Sequence, residues 1–144
     1  MTSAPLKYPG GKHYLAQRLI ALMPPHLMYV EPFFGGGAVL LARPPGRDWY
    51  RGGPGMPPTP EPMPSGLQGC VEVANDLDSE LFNFWAVLRN AETLSELTRL
   101  VEATPFCEQT WETACAQPAG LLGDDDTPPR ERLNVWGAWA YLVR

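Results

Sequence analysis

Three consecutive glycines, Gly35-Gly36-Gly37, follow a short apolar run, Leu27 to Val30, and the linker Glu31-Pro32-Phe33-Phe34. Glycine adopts backbone angles that other residues avoid and lets neighbouring groups come close. The run before it is too short for a helix, and Ala38 to Ala42 after it suits one. This order predicts a strand, a tight turn and a helix. A second short apolar run, Val71-Glu72-Val73-Ala74, closes on Asn75-Asp76. Helices alternating with two such strands predict a layered α/β arrangement.

The remaining pattern fits that frame. Leu15, Leu19 and Leu22 recur at helical spacing and predict an amphipathic helix over 12–23, with Lys12 and Arg18 toward solvent and Pro24-Pro25 as its stop. Residues 44–70 hold eight prolines and six glycines. They read as a long loop inserted between the first helix after the glycines and the second strand. Asp78 is a candidate N-cap for a helix whose apolar face is Leu81, Phe82, Trp85 and Leu88. Leu94, Leu97 and Val101 predict a further helix ended by Pro105, and 106–116 a short one. A turn-rich acidic link over 123–129 precedes a terminal helix over 131–144 that carries Leu133, Trp136, Ala140 and Val143.

With 144 residues the chain is sized for one domain with a real core, expected to span 1–144. Its apolar segments all fall short of the roughly 18 residues that cross a membrane. The expectation is a chain without a membrane partner. Cys70, Cys107 and Cys115 match neither a disulfide framework nor a zinc pattern, so a reducing, cytoplasmic setting is expected. His13 and His26 lack companions for a metal site, and none is expected. Residues 1–51 carry a balance of +4 and residues 52–144 a balance of −9. The acidic part would repel a phosphate backbone unless it faced away from it.

In layered α/β folds, ligands bind beyond the carboxyl ends of the strands. Gly35 and Gly37 occupy such a place after the first strand, and Asp76 occupies one after the second. A carboxylate there can accept from both hydroxyls of a ribose. The interval of about forty residues between them exceeds the usual ~20, and the 44–70 insertion accounts for the excess. Glu31 is read as orienting the loop or meeting a cationic ligand, and plainer readings stand beside all of these: a flexible glycine turn, a helix-capping Asp76, a surface Glu31 and a solvated Lys12. Pro9-Gly10-Gly11-Lys12 departs from a phosphate loop, which needs Gly at position 6 and Ser or Thr at 13, where this chain has Leu6 and His13. Lys12 at the first turn of the expected helix would oppose its dipole, a placement that suits a carboxylate partner such as the amino-acid end of a cofactor. A dinucleotide fingerprint starting at Gly35 would need a glycine at position 40, which is Leu40.

Three stretches in order carry a family resemblance: 5–12, reading Pro-Leu-Lys-Tyr-Pro-Gly-Gly-Lys; 29–39, reading Tyr-Val-Glu-Pro-Phe-Phe-Gly-Gly-Gly-Ala-Val; and 73–78, reading Val-Ala-Asn-Asp-Leu-Asp, followed by Leu81, Asn83 and Phe84. On them the chain resembles the Dam-like D12 class of adenine-specific DNA methyltransferases. The resemblance is strong over 5–43 and 71–90 and weaker through 144, where Trp139 to Arg144 is similar to the helix before a substrate loop. It implies a partial Rossmann-like methyltransferase fold, S-adenosylmethionine as methyl donor, and the exocyclic amine of adenine in DNA as acceptor. That is the chemistry of DNA modification, including restriction-modification.

By the same resemblance, Tyr8 and Lys12 would close over the methionine end of the donor, Gly35 and Gly37 would shape the turn beneath it, Phe33 would support the packing of that loop, and Asp76 would hold the ribose. The family's catalytic Asp-Pro-Pro-Tyr motif has no match in these residues. Asp126-Thr127-Pro128-Pro129-Arg130 has an inserted threonine and an arginine in place of the aromatic. No catalytic residue is therefore assigned. The expectation is an N-terminal methyltransferase part, inactive alone, whose DNA contacts belong to the complete enzyme and whose missing strands a companion chain would supply. The other reading is a non-catalytic adenosine-cofactor-binding or assembly module.

Overall fold

A computed structural model describes residues 5–6, 8, 10–24, 26–43, 71–123, 126–127 and 131–144. The expected insertion at 44–70 lies outside the described residues, as do 124–125 and 128–130 of the acidic link. The chain divides into two compact units, Met1–Asn75 and Asp76–Arg144.

In the first unit, helix α1 spans Ala16–Leu22, strand β1 Met28–Glu31, helix α2 Ala38–Ala42 and strand β2 Val71–Ala74. The helix expected over 12–23 begins four residues late. The Leu15 amide donates to the Lys12 carbonyl at 2.9 Å, a tight turn that precedes the helix. Lys12 therefore stands off the helix, and the expected conflict with its dipole does not arise. The leucine stripe is also not a core face: Ala16 is the buried residue of α1, and Leu22 is 81% exposed.

The two strands pair in parallel, with Met28 opposite Val71, Tyr29 opposite Glu72, Val30 opposite Val73 and Glu31 opposite Ala74. Strand alternation sorts these residues onto two faces. Met28, Val30, Val71 and Val73 form one, all four exposed. Tyr29, Glu31, Glu72 and Ala74 form the other. Among the described residues of this unit, the buried apolar ones lie elsewhere: Ala16, Phe34 and Val39, around the glycine turn and the helices beside it. A parallel strand pair with a helix in the connection between them is compatible with an α/β arrangement, as the sequence predicts.

The second unit is helical in its described residues: α3 Ser79–Arg89, α4 Ala91–Glu102, α5 Glu108–Ala116 and α6 Val135–Val143. Helix α6 packs against the other three, and Leu81, Phe84, Val87, Leu97, Ala114, Ala138 and Ala140 form the core. The face of α3 is rotated from the expected one. Phe84 and Val87 are buried with Leu81, whereas Phe82 is exposed. The rotation brings Asn83 into the core, where it is fully satisfied. Its Nδ2 donates to the carbonyls of Ala119 at 3.0 Å and Asn134 at 2.8 Å, and its Oδ1 accepts from the Asn134 amide at 2.9 Å. Asn134 caps α6 through the Gly137 amide at 2.7 Å and donates to the carbonyls of Pro118 and Gly120. Two asparagines thus tie three chain segments together where an unpaired polar group would be costly. Among the described residues, no helix is long and apolar enough to cross a membrane.

Candidate functional site

The segment 31–37 leaves β1 as a tight, stitched turn. The Asn75 amide donates to the Glu31 carbonyl at 2.9 Å, and the Phe34 amide donates to the Asn75 carbonyl at 2.9 Å. Asn75 Nδ2 reaches the Pro32 carbonyl at 3.2 Å. The residue that ends β2 therefore fixes the exit from β1. Gly35 and Gly37 then take φ of +51° and +66°, the left-handed region that side chains other than glycine's disfavour.

Space demands glycine as well as angle. A Cβ on Gly37 would lie 2.8 Å from Cζ of Phe34, whose buried ring closes the turn. A Cβ on Gly35 would lie 3.1 Å from Cδ1 of Tyr8, and one on Gly36 would lie 3.2 Å from both the Leu6 carbonyl and Cβ of Tyr8. The N-terminal segment thus lies against the glycines. Its own turn is closed by the Gly11 amide donating to the Tyr8 carbonyl at 2.9 Å. Just beyond, Lys12 Nζ stands 3.4 Å from the Phe33 carbonyl and 3.7 Å from Glu31 Oε1.

Five of the six residues singled out by the sequence therefore meet around one turn: Tyr8, Lys12, Phe33, Gly35 and Gly37. Phe33 differs from expectation, because its ring is 71% exposed and the packing role falls to Phe34. What Phe33 offers the turn is its carbonyl. Asp76 opens the second unit, where its Oδ1 accepts from the Asp78 amide at 3.2 Å. Asp78 in turn caps α3 through the amides of Glu80 at 3.0 Å and Leu81 at 3.2 Å.

Sequence reasoning missed the support beneath Lys12. Glu31 is buried, and its Oε2 accepts from the Tyr29 hydroxyl at 2.9 Å. Burial, and next the hydrogen bond to Glu31, hold the Tyr29 phenol well above its ordinary range, so it stays a donor. The Arg43 guanidinium lies 3.8 Å from the centre of the Tyr29 ring. It also reaches His26 Nε2 at 2.8 Å and Glu72 Oε1 at 3.7 Å. The available signal was the two-residue spacing of Tyr29 and Glu31 on a strand, which puts both on one face. Arg43 carried no signal, since its side chain returns to the sheet from the residue that ends α2. Phe34 and Phe33 are neighbours, and composition does not choose between them.

Elsewhere, the Cys107 thiol is held below its ordinary range by hydrogen bonding with Thr110, whose Oγ1 is 3.2 Å away. Among the described residues, no group of three or more His, Cys, Asp or Glu side chains is placed to hold a metal ion.

Residues 8–47 match the family model of the D12 class N6 adenine-specific DNA methyltransferases. Neither the curated proteins nor the solved structures contain a match to the chain. The matched stretch holds Tyr8, Lys12 and the whole 31–37 turn. Over this stretch the chain is similar to that family, and the match supports the resemblance carried by its motifs.

Proposed function

We propose that this chain supplies the donor-binding region of an S-adenosylmethionine-dependent DNA adenine N6-methyltransferase, built on the first strands of a Rossmann-like sheet. The observation that carries the proposal is the left-handed Gly35–Gly37 turn at the end of β1, with Tyr8 against it and the Lys12 ammonium at its rim. When bound, the donor supplies a sulfonium methyl group for the exocyclic amine of adenine.

The residues present suit such a ligand. The Lys12 ammonium meets a carboxylate at the amino-acid end. Tyr8 and the exposed ring of Phe33 offer aromatic faces beside it. The glycines leave room for close approach to the backbone, and the family resemblance assigns the ribose hydroxyls to Asp76. Transfer also needs an aligned amine and groups that stabilise positive charge developing on it. In this proposal those groups lie outside the cradle, on other chain segments or on a companion chain. The balance of −9 over residues 52–144 favours DNA contacts elsewhere than on that part of the chain.

Calorimetric titration of the full chain with S-adenosylmethionine tests the reading. The expected result is saturable binding, weakened about tenfold or more in Asp76→Ala and in Lys12→Met, and no binding of a nicotinamide dinucleotide. A demonstrably folded parent chain that gives no heat of binding with S-adenosylmethionine overturns it.

A further inference from the structure

We propose that Tyr29 is a positioning residue for Lys12: its hydroxyl fixes Glu31, and Glu31 in turn holds the ammonium beside the Phe33 carbonyl. The inference deepens the donor-site reading and rests on it for the purpose Lys12 serves.

Tyr29 and Glu31 are two residues apart on β1 and share a face of the sheet. A buried carboxylate needs polar partners, and Glu31 has one hydrogen bond and one ion pair. Oε2 takes the Tyr29 hydroxyl at 2.9 Å, within hydrogen-bond distance. Oε1 faces Lys12 Nζ at 3.7 Å, an ion pair too long to fix the orientation of the carboxylate by itself. The Tyr29 bond is thus the tighter constraint. It sets the plane of the carboxylate and so the direction in which Oε1 pulls the ammonium.

Tyr29 is itself held from behind. The Arg43 guanidinium stacks on its ring at 3.8 Å and reaches Glu72, the register partner of Tyr29 on β2. Arginine only donates, so His26 Nε2 accepts from Arg43 at 2.8 Å, and His26 Nδ1 donates to the Pro24 carbonyl at 2.7 Å. The line from Pro24 through His26, Arg43, Tyr29 and Glu31 ends at Lys12. Tyr29→Phe removes the hydroxyl and its bond to Glu31, and the ring that stacks on Arg43 stays.

The chain has only two lysines, Lys7 and Lys12, so amine acylation resolved by mass spectrometry reads Lys12 directly, with Lys7 as internal reference. Without donor, Tyr29→Phe is expected to raise the Lys12-to-Lys7 rate ratio at least twofold, and Glu31→Gln to raise it as much or more. The double variant is expected to be no faster than Glu31→Gln, because Tyr29 acts through Glu31. A merely structural role for Tyr29 would shift the melting temperature and add to the effect of Glu31→Gln. An unchanged ratio in a folded Tyr29→Phe chain, an additive double variant, or an unchanged ratio in Glu31→Gln overturns the inference; the last needs no Tyr29 variant to fold. Saturating S-adenosylmethionine should slow acylation of Lys12 in the parent chain. Loss of that protection alone counts against the donor reading, while the donor-free rates decide the role of Tyr29.

Discussion

Gly37 shows how much one methyl group decides at the residue scale. Its φ of +66° disfavours any side chain, and a Cβ would meet the Phe34 ring at 2.8 Å. The ring is buried under the turn and has little room to yield. Gly37→Ala should therefore destabilise the chain by about 2–4 kcal/mol, combining left-handed strain with overpacking. Gly35→Ala carries similar backbone strain, but its neighbour is the partly exposed ring of Tyr8, at 3.1 Å. It should cost about 1–2 kcal/mol, a difference that urea denaturation of the two variants would resolve. Equal costs would mean that Phe34 moves as freely as Tyr8. The glycines were legible because their backbone requirement is written into residue type. Phe34 and Tyr29 were not, because adjacency to Phe33 and alternation with Glu31 become packing information only once the strand register is known.

At the scale of elements, two acids at the entry to α3 differ in what they hold. Asp78 accepts from two amides of the first helical turn, whereas Asp76 accepts from the amide of Asp78, outside the helix. Asp78→Ala should cost about 1 kcal/mol, as N-cap removal commonly does. Asp76→Ala should cost less than Asp78→Ala, and on the proposed donor site it should still remove most donor affinity. Thermal melts beside the titration would show it, and an Asp76→Ala chain destabilised as much as Asp78→Ala would make Asp76 a second cap. Both strands and Asp78 were readable, because each is signalled by residue type over a few positions. Helix faces were less so. The choice of Phe82 over Phe84 in α3 turns on one residue's rotation about the axis, and the polar Asn83 that faces the core is compensated by Asn134, fifty-one positions away. In α1, leucines at helical spacing suggested a buried stripe, yet Leu22 is exposed. Periodicity specifies a possible apolar face, and tertiary packing decides which face is used.

For the molecule as a whole, the two units bury their residues very differently, and stability should follow. The second places Leu81, Phe84, Val87, Ala138 and Ala140 at 1% exposure or less around the fully bonded Asn83. Among its described residues, the first holds two four-residue strands whose apolar face, Met28, Val30, Val71 and Val73, is 41–59% exposed. A two-stranded sheet with so little buried apolar surface is marginal in water. Native-state hydrogen exchange on the full chain should therefore find its slowest amides in α3 and α6, and amides of β1 and β2 exchanging at least about a hundredfold faster, since local opening follows local burial. S-adenosylmethionine should slow exchange over 31–37, because a ligand that binds the closed turn stabilises it by mass action. Strands protected as strongly as α3 in the free chain would contradict the exposure of their apolar face, and would mean that this face is covered in solution. The matched family segment, 8–47, includes β1 and the turn. In this account the cradle sits on the less stable unit, and donor binding contributes stability where the fold alone supplies least.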